Sequence, residues 1–455
     1  MSASEWLSGK VGLNRAVSIT LLARVWGAVV GLVTILFIGR YLTPTAQGYY
    51  YTFTSLIALQ VFVELGLTYA IVQFASHEMA ELTWRQDCTV DGPATSKKRL
   101  QSLLNFSMTW FGGAAVVFAA VLMPLGALVA GFDPGARESG QDVVQPWTWL
   151  VALSSGNLLV TAAMSVIEGC GHVVQMALLR LAQSVVAAGA AWAVLAGGGA
   201  LLALVAQAGA MLVIGAAWLA LAYRAFFADL LSFRSGVPGM SWWREIWPFH
   251  WRIAVSWVSG YLIFQLFSPL LFATHGPVAA GKMGLSLQVI GALNGVAMAW
   301  ISTKLPMYGR MVARREGKAL DHLFFRGLAQ SSLVLLFCLA TVLAGLWALR
   351  EMGSPLAQRV LPLRLMAWMA AISLANHVIF AQAAVLRAHR KDPFMVLSVL
   401  NGAATALMAL ILIPAHGLDG AVAAYALATV LIGLTGGTAI FMRKRSLWWL
   451  NDARP

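Results

Sequence analysis

Arg24, Glu64, Arg180, Lys282, Arg364 and His377 are ionisable residues set within, or at the ends of, long apolar runs. An Arg, Lys or Asp at the centre of a membrane helix costs about 2.5–3.5 kcal/mol on the insertion scale, so each calls for a partner or a task. Arg24 stands nine residues past Arg15, roughly 13 Å along a helix. Glu64 stands at a similar depth from the same face, in the next apolar run. The two are placed to form an ion pair, which either locks the first hairpin or handles substrate and proton. Glu64 is the one acid expected well inside a span, which makes it the coupling candidate. His377 is either a proton relay or a hydrogen-bonded packing residue. Arg180 and Lys282 either snorkel to an interface or face a cavity, and Arg364 reads as interfacial. Four cations against one acid suit an anion, which Arg can grip bidentately where it is a planar or tetrahedral oxyanion.

The elements that position these residues are apolar stretches near 15–39, 49–74, 103–131, 146–167, 173–196, 199–222, 252–274, 279–301, 328–349, 363–386, 394–415 and 419–442. Each approaches or exceeds the roughly 20 residues that cross a bilayer core, and each must be helical because hydrocarbon satisfies no bare backbone group. Only 11% of the residues are charged, against about 25% in a soluble domain, and mean hydropathy is +0.76. The first apolar run is too long for a signal-peptide core and lacks a small-residue cleavage site, so it reads as an uncleaved span. The net charge of +13 is a topology signal rather than a nucleic-acid footprint. Of the 31 Lys and Arg, 23 fall in segments on the side of the termini and 4 (Arg40, Arg137, Arg350, Arg359) on the other. That asymmetry puts both termini in the cytoplasm. Cys88, Cys170 and Cys338 have no metal or disulfide spacing, so no metal or other cofactor is expected.

The chain divides six spans and six: a first lobe at 1–225, a linker at 226–251 and a second lobe at 252–455 with a basic tail. Pro44-Thr45-Ala46-Gln47-Gly48 after the first span is echoed by Pro277-Val278-Ala279-Ala280-Gly281 after the seventh, and Gly199-Ala200 by Gly420-Ala421. An even number of spans per half makes the repeat parallel, and such transporters hold substrate between their halves and alternate access. Tyr49, Tyr50, Tyr51, Trp147 and Trp149 are expected to anchor outer span ends. Trp242, Trp243, Trp247 and Trp251 are expected to anchor an amphipathic linker segment at the inner face.

Gly39-Arg40-Tyr41-Leu42-Thr43-Pro44 followed by Gly48-Tyr49 resembles the first-hairpin signature of bacterial polysaccharide flippases. Ile167-Glu168-Gly169 resembles that family's turn before span five. Asn401, Pro414 and Gly417-Leu418-Asp419-Gly420-Ala421 resemble its C-terminal hairpin. The resemblance implies the superfamily of multidrug, oligosaccharidyl-lipid and polysaccharide exporters. That fold has two six-helix lobes around a central cavity lined by spans one, two, seven and eight. The implied activity is translocation of undecaprenyl-pyrophosphate-linked glycan across the bacterial inner membrane, beside polymerase and export machinery. On those lining spans Gln60, Gln265, Gln288 and Asn294 become candidates for sugar contact, with Arg24, Arg180 and Lys282 for the diphosphate. His275-Gly276 replaces the Leu42-Thr43 of the first-half turn.

Other classes fit less well. An ion-coupled small-molecule exporter of the same fold would want acids or a neutral pocket between the lobes. A peptidoglycan-precursor flippase typically has two further spans. A glycan polymerase or ligase needs a large outer loop bearing Arg and His. The outer loops are too short to house an enzyme, so none is expected, and with no Gly-Lys-Ser/Thr nucleotide loop the driving force is not expected to be ATP bound to this chain.

Overall fold

A computed structural model describes residues 15–131, 143–242, 245, 247–389 and 393–451; for residues 15–25 and scattered others only the backbone is described. The chain is an all-α polytopic membrane protein. Its first half comprises α1 (Arg15–Tyr41), α2 (Pro44–Ile57), α3 (Leu67–Met79), α4 (Ala94–Gly131), α5 (Val144–Gly169), α6 (Val173–Ala196) and α7 (Leu202–Ala222). A short α8 (Arg224–Ser232) leads to α9 (Trp247–Phe264), α10 (Phe267–Ser302), α11 (Leu305–Ala313) and α12 (Gly317–Glu351). The chain closes with α13 (Leu363–Ala388), α14 (Met395–Leu427), a π-helical stretch Ala428–Leu434 and α15 (Thr435–Asn451).

By length and composition eight helical segments can cross a membrane, or nine with one bent pair. Two of the eight run to 57 and 54 residues, about 80 Å at helical rise against a core of about 30 Å. Each turns back at a glycine with non-helical angles, Gly276 (φ 81°, ψ 177°) and Gly417 (φ 55°, ψ −126°). Past the second turn, a Cβ on Gly420 would lie 2.1 Å from the Leu412 carbonyl oxygen, so the hairpin closes backbone to backbone. Dividing both segments and adding α1 gives twelve spans in the expected order. Helices also outrun their apolar cores: α4 begins at Ala94 and α12 at Gly317. The polar first turns of α4 are held by charge, with Lys97 on Asp229 at 2.8 Å and Arg99 on both Glu78 and Glu245 at 2.8 and 2.6 Å.

Two compact units emerge from the packing: Met1–Val30 with Leu59–Trp257, and Gly31–Ala58 with Val258–Pro455. Among the unbroken spans, the fourth of each half is the most buried, α5 at 67% and α13 at 61%, against 17–33% for the others. In the first unit α5 packs on α3, α4 and α7. A short hairpin, β1 (Thr83–Trp84) on β2 (Val90–Asp91), covers the loop side. Trp84 stacks on His172 at 4.3 Å and donates to the Cys170 carbonyl at 2.8 Å. In the second unit α2 packs along α10, which also contacts α12, α13 and α14.

The aromatic belt needs a correction. Tyr49, Tyr50, Tyr51 and Trp147 are buried rather than interfacial. Tyr49 meets Phe272 edge-on at 4.8 Å, and the Trp147 indole donates to the Leu122 carbonyl at 2.7 Å. Close glycines open room for these rings: Gly284 faces Tyr51 and Gly126 faces Trp147. Trp149 is exposed, as an anchor would be. In the linker Trp242 stacks on Phe106 of α4 at 4.1 Å, and Trp247 and Trp251 are exposed. Trp243 lies outside the described residues.

Candidate functional site

The second span is interrupted where its polar residues sit. After α2 the chain makes a 3-10 turn, Ala58–Gln60, then a single helical turn, Val61–Glu64. It then passes through two left-handed residues, Leu65 (φ 50°) and Gly66 (φ 71°), before α3 resumes at a 43° bend. Left-handed backbone at a non-glycine such as Leu65 costs about 1–3 kcal/mol and is retained where surroundings or function demand it. The break frees carbonyls that hydrocarbon cannot satisfy. Trp110 of α4 supplies one donor, its indole nitrogen 3.1 Å from the Val63 carbonyl oxygen. Gln60 and Glu64 are half-buried at this break. The boundary between the two compact units falls at the same place, between Ala58 and Leu59. Interrupted spans are where secondary transporters hold substrate and coupling ions.

No described residue forms an ion pair with Glu64. Arg24 belongs to α1, but its side chain lies outside the described residues, and with it the expected Arg24–Glu64 pair. Arg180 is half-exposed on α6 and reaches Glu168 at 2.5 Å, so the acid of the Ile167-Glu168-Gly169 turn answers a cation twelve residues on. Arg364 likewise meets Asp419 of the C-terminal hairpin.

The remaining candidates lie in the second unit. Gln265 sits in the break between α9 and α10, its backbone N–H bonded to the Tyr261 carbonyl at 2.9 Å. Gln288 accepts a hydrogen bond from Tyr51. The side-chain oxygen of Asn294 is buried with no partner among the described residues. His377 is buried on α13, with Nε2 2.8 Å from the Ser331 hydroxyl and Nδ1 without a described partner. Thus Gln60, Glu64 and Arg180 occupy one unit, and Lys282, Gln265, Gln288, Asn294 and His377 the other.

The echoed Pro-x-x-x-Gly turns touch each other inside the second unit. A Cβ on Gly48 would fall 2.0 Å from the Pro277 carbonyl oxygen, and one on Gly281 would fall 2.9 Å from the Gly48 nitrogen. Small residues at this crossing let α2 and α10 approach backbone to backbone, which drives helix association in lipid. Thr43 caps α2, its hydroxyl accepting from the Ala46 N–H at 3.1 Å with Pro44 in the first turn. Gln47 then donates to the Gly281 carbonyl at 2.8 Å and to the Arg359 carbonyl at 2.9 Å. Gln47, Tyr51 and Arg359 were not among the expected site residues. The echo itself was the available signal for Gln47, since a polar residue next to a repeated glycine sits at the contact.

No protein-family model matches the chain. No curated protein matches it either. Solved structures do. The MATE multidrug transporter DinF-BH, solved in complex with a ligand, superposes with a TM-score of 0.62 at 14% identity, over 96% of each chain. An outward-facing multidrug resistance MATE family transporter of the MOP superfamily gives 0.58 at 13%, over 96% of this chain and 97% of that one. The Lipid II flippase MurJ in an inward closed conformation gives 0.54 at 11%, over 96% and 90%. The likeness is one of fold and extends over the whole length.

Proposed function

We propose that this chain is a flippase that carries an undecaprenyl-pyrophosphate-linked oligosaccharide across the bacterial inner membrane for surface polysaccharide synthesis. The two six-span halves, 1–225 and 252–455, alternate access, with both termini cytoplasmic. Arg24, Arg180 and Lys282 serve the diphosphate, and Gln60, Gln265, Gln288 and Asn294 the sugars. Glu64 and His377 serve coupling, and polymerase and export machinery act on the product. The observation that carries the reading is the sign of the charge left unbalanced in the spans. Arg180 and Arg364 have carboxylate partners, whereas Lys282 has none among the described residues; Arg24 is counted from its place in the sequence alone. The surplus is cationic and suits an anion that keeps its charge in transit. The fold, shared with a Lipid II flippase, and the run of flippase-like turns support it.

The second reading is an ion-coupled small-molecule exporter. It draws on the multidrug transporters of the same fold and on Glu64, an acid at a broken span without a described ion pair. Deleting the gene separates the two. The flippase reading expects a lipid-linked glycan to accumulate on the cytoplasmic leaflet, with restoration by the wild-type gene. Unchanged lipid-linked glycans together with heightened drug sensitivity overturn it in favour of the exporter.

A further inference from the structure

The second unit contains two adjoining clefts, of about 800 and 400 Å³. The larger has apolar walls from three helices: Leu36 of α1, Val289 of α10 and Val342 of α12 are examples. Leu36 is 67% exposed, so this wall is open on its α1 side rather than enclosed. Its rim carries Arg40, at the end of α1, and Arg359, in the loop before α13. The smaller cleft shares Leu346, Ser354 and Val360 with it and adds Lys282 and Arg350. No Asp or Glu lines either cleft among the described residues. None of the four cations has a described carboxylate partner.

The loop that carries Arg359 is fixed before any ligand arrives. Gln47 holds the Arg359 carbonyl at 2.9 Å, and the Leu361 N–H donates to the Ser286 hydroxyl at 2.9 Å. The Arg359 guanidinium is half-buried and lies 3.5 Å from the Gln47 side-chain oxygen. Burial lowers its pKa from the ordinary value, the mark of a desolvated cation with no counter-charge. From Arg40 back to Ile35 is about 7 Å along α1, so charge lies above apolar wall over roughly one helical turn. A free anion has no use for that wall, and a zwitterionic lipid gains nothing from four unopposed cations.

We propose that the paired clefts bind a membrane lipid through its phosphate headgroup. Arg40 and Arg359 grip the phosphate, Lys282 and Arg350 face any further charge on it, and the tail lies along the wall between α1, α10 and α12. Basic pockets between spans recognise phosphate headgroups in this way. Lys282, assigned above to the transported diphosphate, lines the smaller cleft, but the site is tested by lipid binding through Arg40 and Arg359, which the flippase reading does not use, so its failure leaves that reading standing.

The full-length protein, purified in detergent, is titrated with dioleoyl phosphatidic acid or dioleoyl phosphatidylcholine, and retained lipid is counted by native mass spectrometry. Wild type is expected to retain phosphatidic acid at least tenfold more tightly than phosphatidylcholine. Inorganic phosphate should compete only weakly. The double variant Arg40→Gln/Arg359→Gln should lose that preference tenfold or more, while Arg364→Gln, whose partner is Asp419 outside the clefts, should keep it. Gly345 lines the larger cleft with open space where a side chain would go. Gly345→Leu should therefore block binding without touching a charge, and it serves as the test should the double variant fail to fold. Equal retention of the two lipids overturns the proposal, as does undiminished binding in a folded double variant or in Gly345→Leu. Full displacement by inorganic phosphate at matched concentration reassigns the clefts to free phosphate and likewise overturns it.

Discussion

Arg180 and Glu168 meet at 2.5 Å with 48% and 19% of their side chains exposed, and a pair so open to its surroundings adds at most about 1 kcal/mol. That pair was invisible in the sequence: Glu168 lies beyond the expected end of span four, and Arg180 comes twelve residues later, past a turn. Arg24 and Glu64 are expected from the sequence to match in depth because both lie far inside apolar runs, but their pairing lies outside the described residues. Their proposed roles make opposite demands on substitution. Arg24→Ala should abolish glycan export by an inserted, normally abundant protein, and Arg24→Lys should restore only part of it, because a point charge lacks the planar fork. Leaflet-resolved assays of lipid-linked glycan in cells with matched protein levels check this, and full export by Arg24→Ala would remove Arg24 from the mechanism. Glu64→Gln keeps size and polarity but removes the titration. If Glu64 couples proton to substrate, the variant should bind substrate yet transport slowly and without pH dependence. If Glu64 only balances Arg24, protein abundance should fall instead, because a buried cation loses its partner. Flux against pH and immunoblot abundance in one variant tell the two apart, and normal abundance with wild-type pH-dependent flux sinks both.

At the scale of elements, the helices, their order and their two hairpin glycines follow from apolar length and turn chemistry. The break in the second span does not. Leu65-Gly66 is an ordinary dipeptide in an apolar run, and only the backbone angles reveal that both residues are left-handed. Gly66→Ala should therefore destabilise the protein by about 1–2 kcal/mol, read as a lowered melting temperature in detergent. An unchanged melting point would mean that the chain does not need this geometry. The buried tyrosines show the same limit. Tyr49-Tyr50-Tyr51 has the composition of an interfacial anchor, and nothing in the triplet tells that α10 lies against it. The loop-side charges make a pH-dependent clamp. The Ser241 backbone N–H and then Arg99 hold the Glu245 carboxyl below its ordinary range. A depressed carboxylate stabilises above its unfolded pKa, near 4.3, and loses that contribution as pH falls through the still lower folded value. Wild type should accordingly melt above Glu245→Gln at pH 7, and the gap should close as the pH drops below about 4. A gap that widens with acid would reverse the assignment.

For the whole molecule, an even number of spans would leave both termini on one face, and the distribution of Lys and Arg predicts that this face is the cytoplasmic one. Part of this basic surplus is spoken for: Lys97, Arg99 and Arg445 are paired with Asp229, Glu78 with Glu245, and Asp321. The assignment therefore rests on the count of cations per loop, which is what insertion reads, and not on net field. A labelling experiment decides it. Cys88, Cys170 and Cys338 are first replaced, and single cysteines are then placed at exposed sites, Gln86→Cys and Gly236→Cys on one expected face and Gln358→Cys on the other. A membrane-impermeant maleimide applied to intact spheroplasts should label Gln358→Cys and spare the other two until the cells are opened. Labelling of Gln86→Cys or Gly236→Cys from outside would invert the topology. It would also move the Arg40–Arg359 cleft to the cytoplasmic leaflet, where a flippase would collect its lipid rather than release it.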